Sequence, residues 1–234
     1  MLDRKILELL FPRVCPVCNK LVRSDTSYFC PLCKDLLPYI GNHYCMKCGR
    51  KLENEQQEFC LECQKKFPLF LEGRAAFVYT GEIKAILYRL KYRNERWLAP
   101  ALGSLMTECL GDWILKNKIT VIVPIPLSKK KKRRRGYNQS ELLAVVIGKT
   151  LHIPVEAGLL IRVKNTAPLK GLSKAERKKV MQHAFCITRT VSEEERILLV
   201  DDIYTTGSTV NSAVHVLQYG GAKAVYMLAC AVSG

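Results

Sequence analysis

Apolar residues in the C-terminal part of the chain follow two alternating patterns. Short continuous runs, typical of strands buried on both faces of a parallel sheet, fall at residues 74–79, 120–123, 184–187, 197–200 and 224–231. Between these runs, apolar residues recur at helical spacing, as at Ile83, Ile86, Leu87 and Leu90. Strands that alternate with helices predict an α/β domain whose mainly parallel sheet is flanked by helices.

The first 70 residues carry paired cysteines instead of this alternation. Four C-x-x-C pairs each begin 15 residues after the previous one: Cys15/Cys18, Cys30/Cys33, Cys45/Cys48 and Cys60/Cys63. A two-residue spacing lets a tight turn direct both thiolates to one ion, and two such turns complete a tetrahedral zinc site. The segment is too short and polar for a core of its own, so metal binding would supply its folding energy. We predict a double zinc-ribbon module at residues 1–70 and the α/β domain at 71–234.

The assignment of these cysteines to ions leaves alternatives open. Sequential pairing, with the first four on one zinc ion and the last four on another, is the simplest arrangement. An interleaved arrangement is the alternative, because ribbon loops are usually longer than the eleven residues between successive pairs. Disulfides are disfavoured by the two-residue spacing. Four thiolates leave no open coordination position, so the ions are predicted to be structural. Cys109, Cys186 and Cys230 lie in apolar patterns and are predicted to be buried.

The chain is strongly basic. Its 234 residues carry a formal net charge of +16, which falls to about +12 if two zinc ions are each held by four thiolates. This charge favours a polyanionic partner, either nucleic acid or a polyphosphate, although a solvated lysine-rich surface without such a partner would have the same net charge. We find no apolar run of membrane-spanning length and no signal-peptide pattern, and therefore expect a cytoplasmic protein.

The most informative motif covers residues 197–209, Ile-Leu-Leu-Val-Asp-Asp-Ile-Tyr-Thr-Thr-Gly-Ser-Thr. A buried strand is predicted to stop at two adjacent carboxylates, and a loop of small residues leads into a helix. The N–H groups of such a loop and the helix N-terminus attract phosphate, and carboxylates accept hydrogen bonds from ribose hydroxyls. The motif predicts a sugar-phosphate site made of Asp201, Asp202, Thr205, Thr206, Gly207, Ser208 and Thr209.

A second motif is an uninterrupted basic run. It consists of Lys129, Lys130, Lys131, Lys132, Arg133, Arg134 and Arg135, and Gly136 and Tyr137 follow. Such a run is typical of a solvated or nucleic-acid-binding segment, but its place between a strand and a helix also suits a loop that binds pyrophosphate. The two interpretations are compatible if Arg135 and Gly136 bind pyrophosphate while residues 129–134 and Tyr137 contact nucleic acid. Tyr92, Trp97 and Tyr137 are candidates for base stacking; ordinary packing is the alternative, more for Trp97 than for Tyr137.

These motifs together resemble known families. Residues 197–209 resemble the phosphoribosyl-pyrophosphate (PRPP) motif of type I phosphoribosyltransferases. The whole order resembles the ComF family of competence proteins over nearly the full chain: paired-cysteine ribbons, Val-Pro-Ile-Pro-Leu at 123–127, Arg-Gly-Tyr-Asn-Gln-Ser-Glu-Leu-Leu-Ala at 135–144, and the acidic-pair motif. The resemblance implies a type I phosphoribosyltransferase fold beside the small zinc-ribbon module.

The resemblance also implies roles. Asp201 and Asp202, the candidate catalytic residues, would hold the ribose 2′- and 3′-hydroxyls, and residues 205–209 would hold the 5′-phosphate. Arg135 and Gly136 would lie in the pyrophosphate loop with Mg²⁺ as counter-ion, and residues 164–179 match a flexible loop that closes over the site. Two departures stand out. Thr205 replaces the aspartate base of oxopurine salvage enzymes, and Thr166 is followed by Leu169 where the family usually has Thr-x-x-Gln.

The implied function is DNA uptake during natural transformation. The protein would bind single-stranded DNA and PRPP and work with proteins of the DNA-uptake or recombination machinery. One alternative is a nucleobase-salvage phosphoribosyltransferase, in which a base nitrogen attacks PRPP and pyrophosphate leaves. A PRPP-sensing regulator is another. Salt-dependent DNA binding favours the first hypothesis, and base-dependent pyrophosphate release favours the salvage enzyme.

Overall fold

The computed structural model describes residues 12–22, 27–54, 56–163 and 184–233. The predictions for the loop at residues 164–179, with Thr166 and Leu169, fall outside this range. The helices of the described residues are α1 (Pro31–Asp35), α2 (Leu61–Lys65), α3 (Gly81–Tyr92), α4 (Leu98–Lys116), α5 (Lys129–Arg135), α6 (Gln139–Leu151) and α7 (Ser208–Tyr219). The strands are β1 (Gly73–Val78), β2 (Val121–Pro124), β3 (Leu160–Arg162), β4 (Phe185–Ile187), β5 (Arg196–Tyr204) and β6 (Ala224–Val232).

Four parallel strands form the central sheet in the order β1-β6-β5-β2. β5 has an inner position, where Leu199 lies opposite Met227 of β6 and Val123 of β2. These three side chains are completely buried, as expected for a strand covered on both faces. Because the strands are parallel, the carboxyl ends of β2 and β5 meet at one edge of the sheet, and the chain leaves that edge toward α5 and α7.

Helices cover both faces of this sheet. Leu198 and Val200 of β5 join the apolar cluster made with α3, α4 and α6. Leu199, between them in sequence, joins the opposite cluster with Val210, Val214 and other residues of α7. Alternate β5 side chains therefore enter different cores, as the pleat of a strand requires. The predicted α/β class, with a mainly parallel sheet flanked by helices, is confirmed.

The two zinc ribbons lie against different cores. Cys15 and Phe29 of the first ribbon belong to the cluster with α3 and α4. The four cysteines of the second ribbon belong to the cluster with α7, together with Phe70. The N-terminal module is thus packed against the α/β part on both sides of its sheet. The predicted domain boundary at residue 70 stays a prediction.

Three local predictions were wrong. β5 does not stop at the carboxylates but continues to Tyr204, so Asp201 and Asp202 are strand residues. The basic run is not a loop but the helix α5, which Ser128 caps at its start and Gly136, at φ 80°, ends in the left-handed region. The strand near residue 185 does not join the parallel sheet, because β4 pairs antiparallel with β3.

The helix α4 is the longest of the described helices, with 19 residues. Leu102, Met106 and Ile114 are buried in the core on one face of the sheet. Cys109 was predicted to be buried but is exposed, whereas Cys186 is half-buried and Cys230 fully buried. Neither α4 nor any other helix within the described segments is long and apolar enough to cross a membrane.

Candidate functional site

The cysteine thiols of the N-terminal module form two compact clusters. In each, the four Sγ atoms lie within 4.8 Å of one another: Cys15, Cys18, Cys30 and Cys33 in the first, and Cys45, Cys48, Cys60 and Cys63 in the second. The thiols therefore group sequentially, and the interleaved alternative is wrong. The sulfur pairs Cys18–Cys30 and Cys48–Cys60 are each 3.7 Å apart. That is the spacing of about 3.8 Å expected around a tetrahedral zinc ion with Zn–S bonds of about 2.3 Å.

The chemistry of the clusters fits structural zinc. All eight cysteines are free thiols, and the 3.7 Å sulfur distances are far longer than a disulfide bond. Hydrogen bonds within the second cluster lower the pKa of the Cys45 thiol and raise the pKa of the Cys48 and Cys63 thiols, so it is the bound zinc ion that would deprotonate all four ligands. With four thiolates at each site, the ion has no open position for a substrate and serves the fold.

The first carboxylate of the acidic pair is tied to the start of α6. Asp201 Oδ1 accepts hydrogen bonds from Ser140 Oγ at 3.0 Å and from the Asp202 amide at 2.9 Å. Burial and the neighbouring charge of Asp202 raise the pKa of Asp201 to about 7. The contacts hold the carboxyl group in place, while its raised pKa puts protonation within reach of physiological pH.

The second carboxylate forms an ion pair with α3. Asp202 Oδ2 lies 2.8 Å from Lys91 Nζ, and both side chains are largely buried, with 7% and 15% exposed. The adjacent carboxylates thus have different partners: a cation for Asp202 and a hydroxyl for Asp201.

The segment 205–209, which we call the turn, contains the connection between β5 and α7 (residues 205–207) and the first two residues of α7, Ser208 and Thr209. Gly207 has φ 72° and precedes the first residue of the helix, and no side chain caps the N–H groups of this helix start. A Cβ atom at position 207 would lie 2.4 Å from the hydroxyl oxygen of Tyr204, so the turn requires glycine. Thr205, Thr206 and Ser208 are exposed, and Thr209 is half-buried. The uncapped amides at a solvent-facing helix start are suited to an anion such as phosphate.

The basic helix α5 ends against α6 and α3, the helices that carry the partners of the acidic pair. Residues 129–134 are exposed, whereas Arg135 is half-buried. Its guanidinium donates to Gln139 Oε1 of α6 and lies 5.3 Å from the ring centre of Tyr92. Gly136 then turns the chain toward Asn138, whose side chain caps α6 and donates to Ile125 O at 3.0 Å. Arg135 and Gly136 are therefore placed between the basic helix and the residue that holds Asp201.

The structure reverses the expected burial of the aromatic candidates. Tyr137 is buried, with 6% exposed, and Arg96 covers its ring at 4.5 Å. Trp97 is 43% exposed and Tyr92 is 57% exposed. Tyr137 is therefore a core residue, whereas Tyr92 and Trp97 are exposed to solvent.

Replacing Tyr137 with phenylalanine should lower stability without changing nucleic-acid binding. The hydroxyl donates to the Leu90 carbonyl at the end of α3, and losing one such bond costs about 1 kcal/mol. Chemical denaturation should therefore show a lower midpoint for Tyr137→Phe with an unchanged slope. A matching loss of DNA affinity in the folded variant would contradict the structural role.

Three residues of this region were missed by sequence reasoning. Lys91 lay within a basic helix end, Ser140 within the second motif, and Tyr88 one helical turn before Tyr92. Tyr88 is 53% exposed, and its ring lies 4.9 Å from that of Tyr92. The signal for Tyr88 was the i, i+4 spacing, which places two residues on one helix face. No local signal pairs Lys91 with Asp202, since the pairing needs the tertiary fold.

Comparisons with known proteins agree with this arrangement. Residues 6–64 match the family model described as a double zinc ribbon domain. Over 152 residues the chain is 31% identical to competence protein F of Haemophilus influenzae, and over 157 residues it is 32% identical to competence protein ComFC of Bacillus subtilis. The chain is thus similar to competence proteins of the ComF type. It is also 31% identical, over 153 residues, to the DNA utilization protein YhgH of Escherichia coli.

These alignments cover part of each protein. The alignments with the proteins of H. influenzae, B. subtilis and E. coli include 63%, 67% and 63% of this chain, and 66%, 62% and 66% of the respective relative. The chain therefore spans just under two thirds of the length of these relatives.

Two solved structures have a looser likeness to the chain. A glutamine PRPP amidotransferase from B. subtilis has a TM-score of 0.40 and 20% identity, covering 58% of this chain and 26% of that one. A purine phosphoribosyltransferase from Pyrococcus horikoshii has a TM-score of 0.34 and 17% identity, covering 53% and 68%.

Proposed function

We propose that this protein is a member of the ComF family, acts in the cytoplasm in DNA uptake and binds both single-stranded DNA and PRPP. The observation that carries the proposal is at the end of α3. Lys91 pairs with Asp202, and the next residue, Tyr92, lies under Arg135 of the basic helix. One helix end therefore joins the acidic pair to a basic and aromatic surface. The names of the relatives, competence and DNA utilization proteins, support the same role.

The sugar-phosphate part of the proposal uses the carboxyl edge of the sheet. The uncapped start of α7 would bind the 5′-phosphate through N–H groups of residues 205–209. Asp201 and Asp202 would accept hydrogen bonds from the ribose hydroxyls, with Ser140 and Lys91 holding them in place. Arg135 and Gly136 would face the pyrophosphate. Mg²⁺ bound to PRPP would supply charge neutralisation there, for which oxygen ligands are the appropriate donors.

The nucleic-acid part uses what we call the basic-aromatic face: α5 with Tyr88, Tyr92 and Trp97. Six exposed basic side chains of α5 offer phosphate contacts. The exposed rings of Tyr88 and Tyr92 lie side by side, and Arg89 lies 5.5 Å from the ring centre of Trp97. Positive charge beside open aromatic rings is the combination that binds single strands without sequence preference. Proteins of the DNA-uptake or recombination machinery are the partners we propose.

Single-stranded DNA should bind with an affinity that falls steeply with salt. In the variant with Lys129, Lys130, Lys131, Lys132, Arg133 and Arg134 all changed to glutamine, the slope of log affinity against log salt should drop by about 0.7 for each phosphate that the protein no longer neutralises. Tyr92→Ala should weaken binding by about 1–3 kcal/mol because base stacking on the ring is removed. Fluorescence anisotropy with a labelled oligonucleotide at several salt concentrations measures both effects.

A matched control comes from the opposite edge of the sheet. Lys116 and Lys118 are exposed and lie just before β2 begins, so Lys116→Gln with Lys118→Gln should leave the slope nearly unchanged. Lys129→Gln with Lys130→Gln removes the same charge from α5 and should reduce it. Equal effects of the two double variants would show that net charge alone drives binding. Absent or salt-insensitive binding by the unmodified protein would contradict the proposed DNA contact.

A further inference from the structure

The two zinc ribbons share a turn that ends in a basic residue. In the second ribbon, the Cys45 amide donates to Arg50 O at 2.7 Å, and the Gly49 amide donates to Cys45 O at 2.8 Å. In the first ribbon, the Cys15 amide donates to Lys20 O at 2.8 Å, and the Asn19 amide donates to Cys15 O at 2.9 Å. Arg50 and Lys20 therefore occupy equivalent positions, each two residues after a zinc ligand.

Only the arginine of this pair reaches the candidate sugar-phosphate site. Arg50 Nη2 donates to the carbonyl of Thr205 at 3.2 Å, and Nη1 donates to the carbonyl of Ser233. Thr205 is the first residue of the turn that precedes α7, and the Ser233 amide donates back to Tyr204 O at 3.0 Å. One guanidinium thus connects the start of the turn to the end of β6. Lys20 is exposed.

The turn that carries Arg50 is itself held against the sheet. A Cβ atom at Gly49 would lie 2.6 Å from Arg74 Cα and 2.9 Å from the Ala75 amide, so the turn contacts the β1 backbone directly. The Gly73 amide also donates to Lys47 O at 2.8 Å. Because two zinc ligands, Cys45 and Cys48, lie in this turn, the metal site and β1 together set the position from which Arg50 extends.

The second ribbon also forms one wall of a cavity beside the turn. This cavity of about 480 Å³ is lined on the ribbon side by Cys48, Arg50 and Glu62, and on the other side by residues including Thr205 and Ser208. The ribbon and the turn therefore lie on opposite sides of one cavity. The hydrogen bonds of Arg50 connect the two sides directly.

We propose that the second zinc ribbon is a structural part of the sugar-phosphate site. Arg50 is a positioning residue that holds the turn at residues 205–209, and zinc in the second cluster keeps Arg50 in place. The first ribbon, packed against the other core, has no equivalent contact among the described residues. The proposal rests on the proposed PRPP site for the identity of the ligand, but the link between ribbon and turn does not depend on it.

Hydrogen exchange of the turn tests this link without a ligand. Arg50→Ala should make the Asn211 and Ser233 amides, which donate to Gly207 O and Tyr204 O on either side of the turn, exchange about tenfold faster, because charge-assisted hydrogen bonds to Thr205 and Ser233 are removed. Lys20→Ala, the matched control, should leave them unchanged. PRPP with Mg²⁺ should then bind to Arg50→Ala about tenfold more weakly than to Lys20→Ala. Arg50→Lys, which keeps the charge but not the planar fork, should fall between the two.

The outcomes separate this inference from the proposed function. Equal exchange in the turn for Arg50→Ala and Lys20→Ala overturns the inference, even if PRPP binds normally to the unmodified protein. If exchange is faster in Arg50→Ala but the unmodified protein does not bind PRPP, the link between ribbon and turn is supported and the proposal that PRPP is the ligand is refuted. Zinc content is measured for each variant. If Arg50→Ala loses an ion, the comparison is made between Arg50→Lys and Lys20→Arg, and equality there likewise overturns the inference.

Discussion

Replacing Cys45 with serine should lower the zinc content from two ions per chain to one and unfold the second ribbon. Cys45 is completely buried and belongs to the second thiol cluster. A serine hydroxyl does not replace a thiolate as a zinc ligand, and zinc binding in free-standing ribbons is worth about 10–16 kcal/mol of folding energy. Because the four cysteines pack with α7 and Phe70, the loss should also expose part of that core.

Metal analysis and thermal unfolding together measure this effect. Cys109→Ser is the matched control, because Cys109 is exposed and outside both thiol clusters. It should keep both zinc ions and the unfolding temperature of the unmodified protein. A Cys45→Ser protein that still binds two zinc ions per chain would disprove the assignment of the second site.

Replacing Asp201 with asparagine should abolish the stabilisation by PRPP and yet raise the stability of the free protein at pH 8. Burial and the charge of Asp202 raise the pKa of Asp201 to about 7. The ionised carboxylate is therefore unfavourable in the folded protein above that pH. Asparagine keeps an oxygen that can accept from Ser140 and from the Asp202 amide but carries no charge. The ionised carboxylate of Asp201 thus lowers the free energy of unfolding, but it is the group that the proposed ribose contact requires.

The pH dependence gives the sign of this effect. A carboxyl group whose pKa rises from about 4 in the unfolded chain binds its proton more tightly in the folded one. Its contribution to stability therefore falls as pH rises from about 4 to about 7, and then stays constant. The unfolding temperature of the unmodified protein should drop relative to Asp201→Asn across this window. Below pH 4 the two should respond to pH alike.

Thermal shift with and without PRPP and Mg²⁺ completes the test. Asp112→Asn, an exposed substitution on α4, should keep both the PRPP response and the pH profile. The double variant Asp201→Ala with Asp202→Ala should also lose the PRPP response. A normal PRPP shift in Asp201→Asn would rule out the acidic pair as the sugar contact. An unchanged pH profile would show that the carboxyl group is not buried in charged form.

Much of the fold was predictable because local patterns carry it. The apolar run at residues 197–200 predicted a strand covered on both faces, and these residues are buried with helices on each side of the sheet. The predictions failed where local signals compete. Asp201 and Asp202 looked like a strand end because carboxylates are unfavourable in strands, but pairing with β6 carries β5 through them to Tyr204. The basic run forms a helix because Ser128 and Gly136 cap it.

The candidate site was predictable in its components but not in its contacts. Local spacing identified the acidic pair, the turn at residues 205–209 and the basic run. It did not identify Ser140 or Lys91, because hydrogen bonds and ion pairs between distant segments produce no recognisable spacing in the sequence. The burial order of Tyr137 and Trp97 was wrong for a related reason. Each lies beside basic residues, and only the packing of α3 against Tyr137 decides which ring is covered.

Local constraints are enough to establish the four C-x-x-C pairs and the order of apolar run, acidic pair and small-residue turn before α7. The two-residue spacing within a pair and the succession of apolar positions can be recognised without coordinates. The three-dimensional packing was needed to choose sequential over interleaved thiol clusters. It was also needed to place the ribbons against opposite cores and to bring Arg50, not the equivalent Lys20, to Thr205. The physical reason is that packing joins segments more than 150 residues apart, a distance over which no local pattern operates.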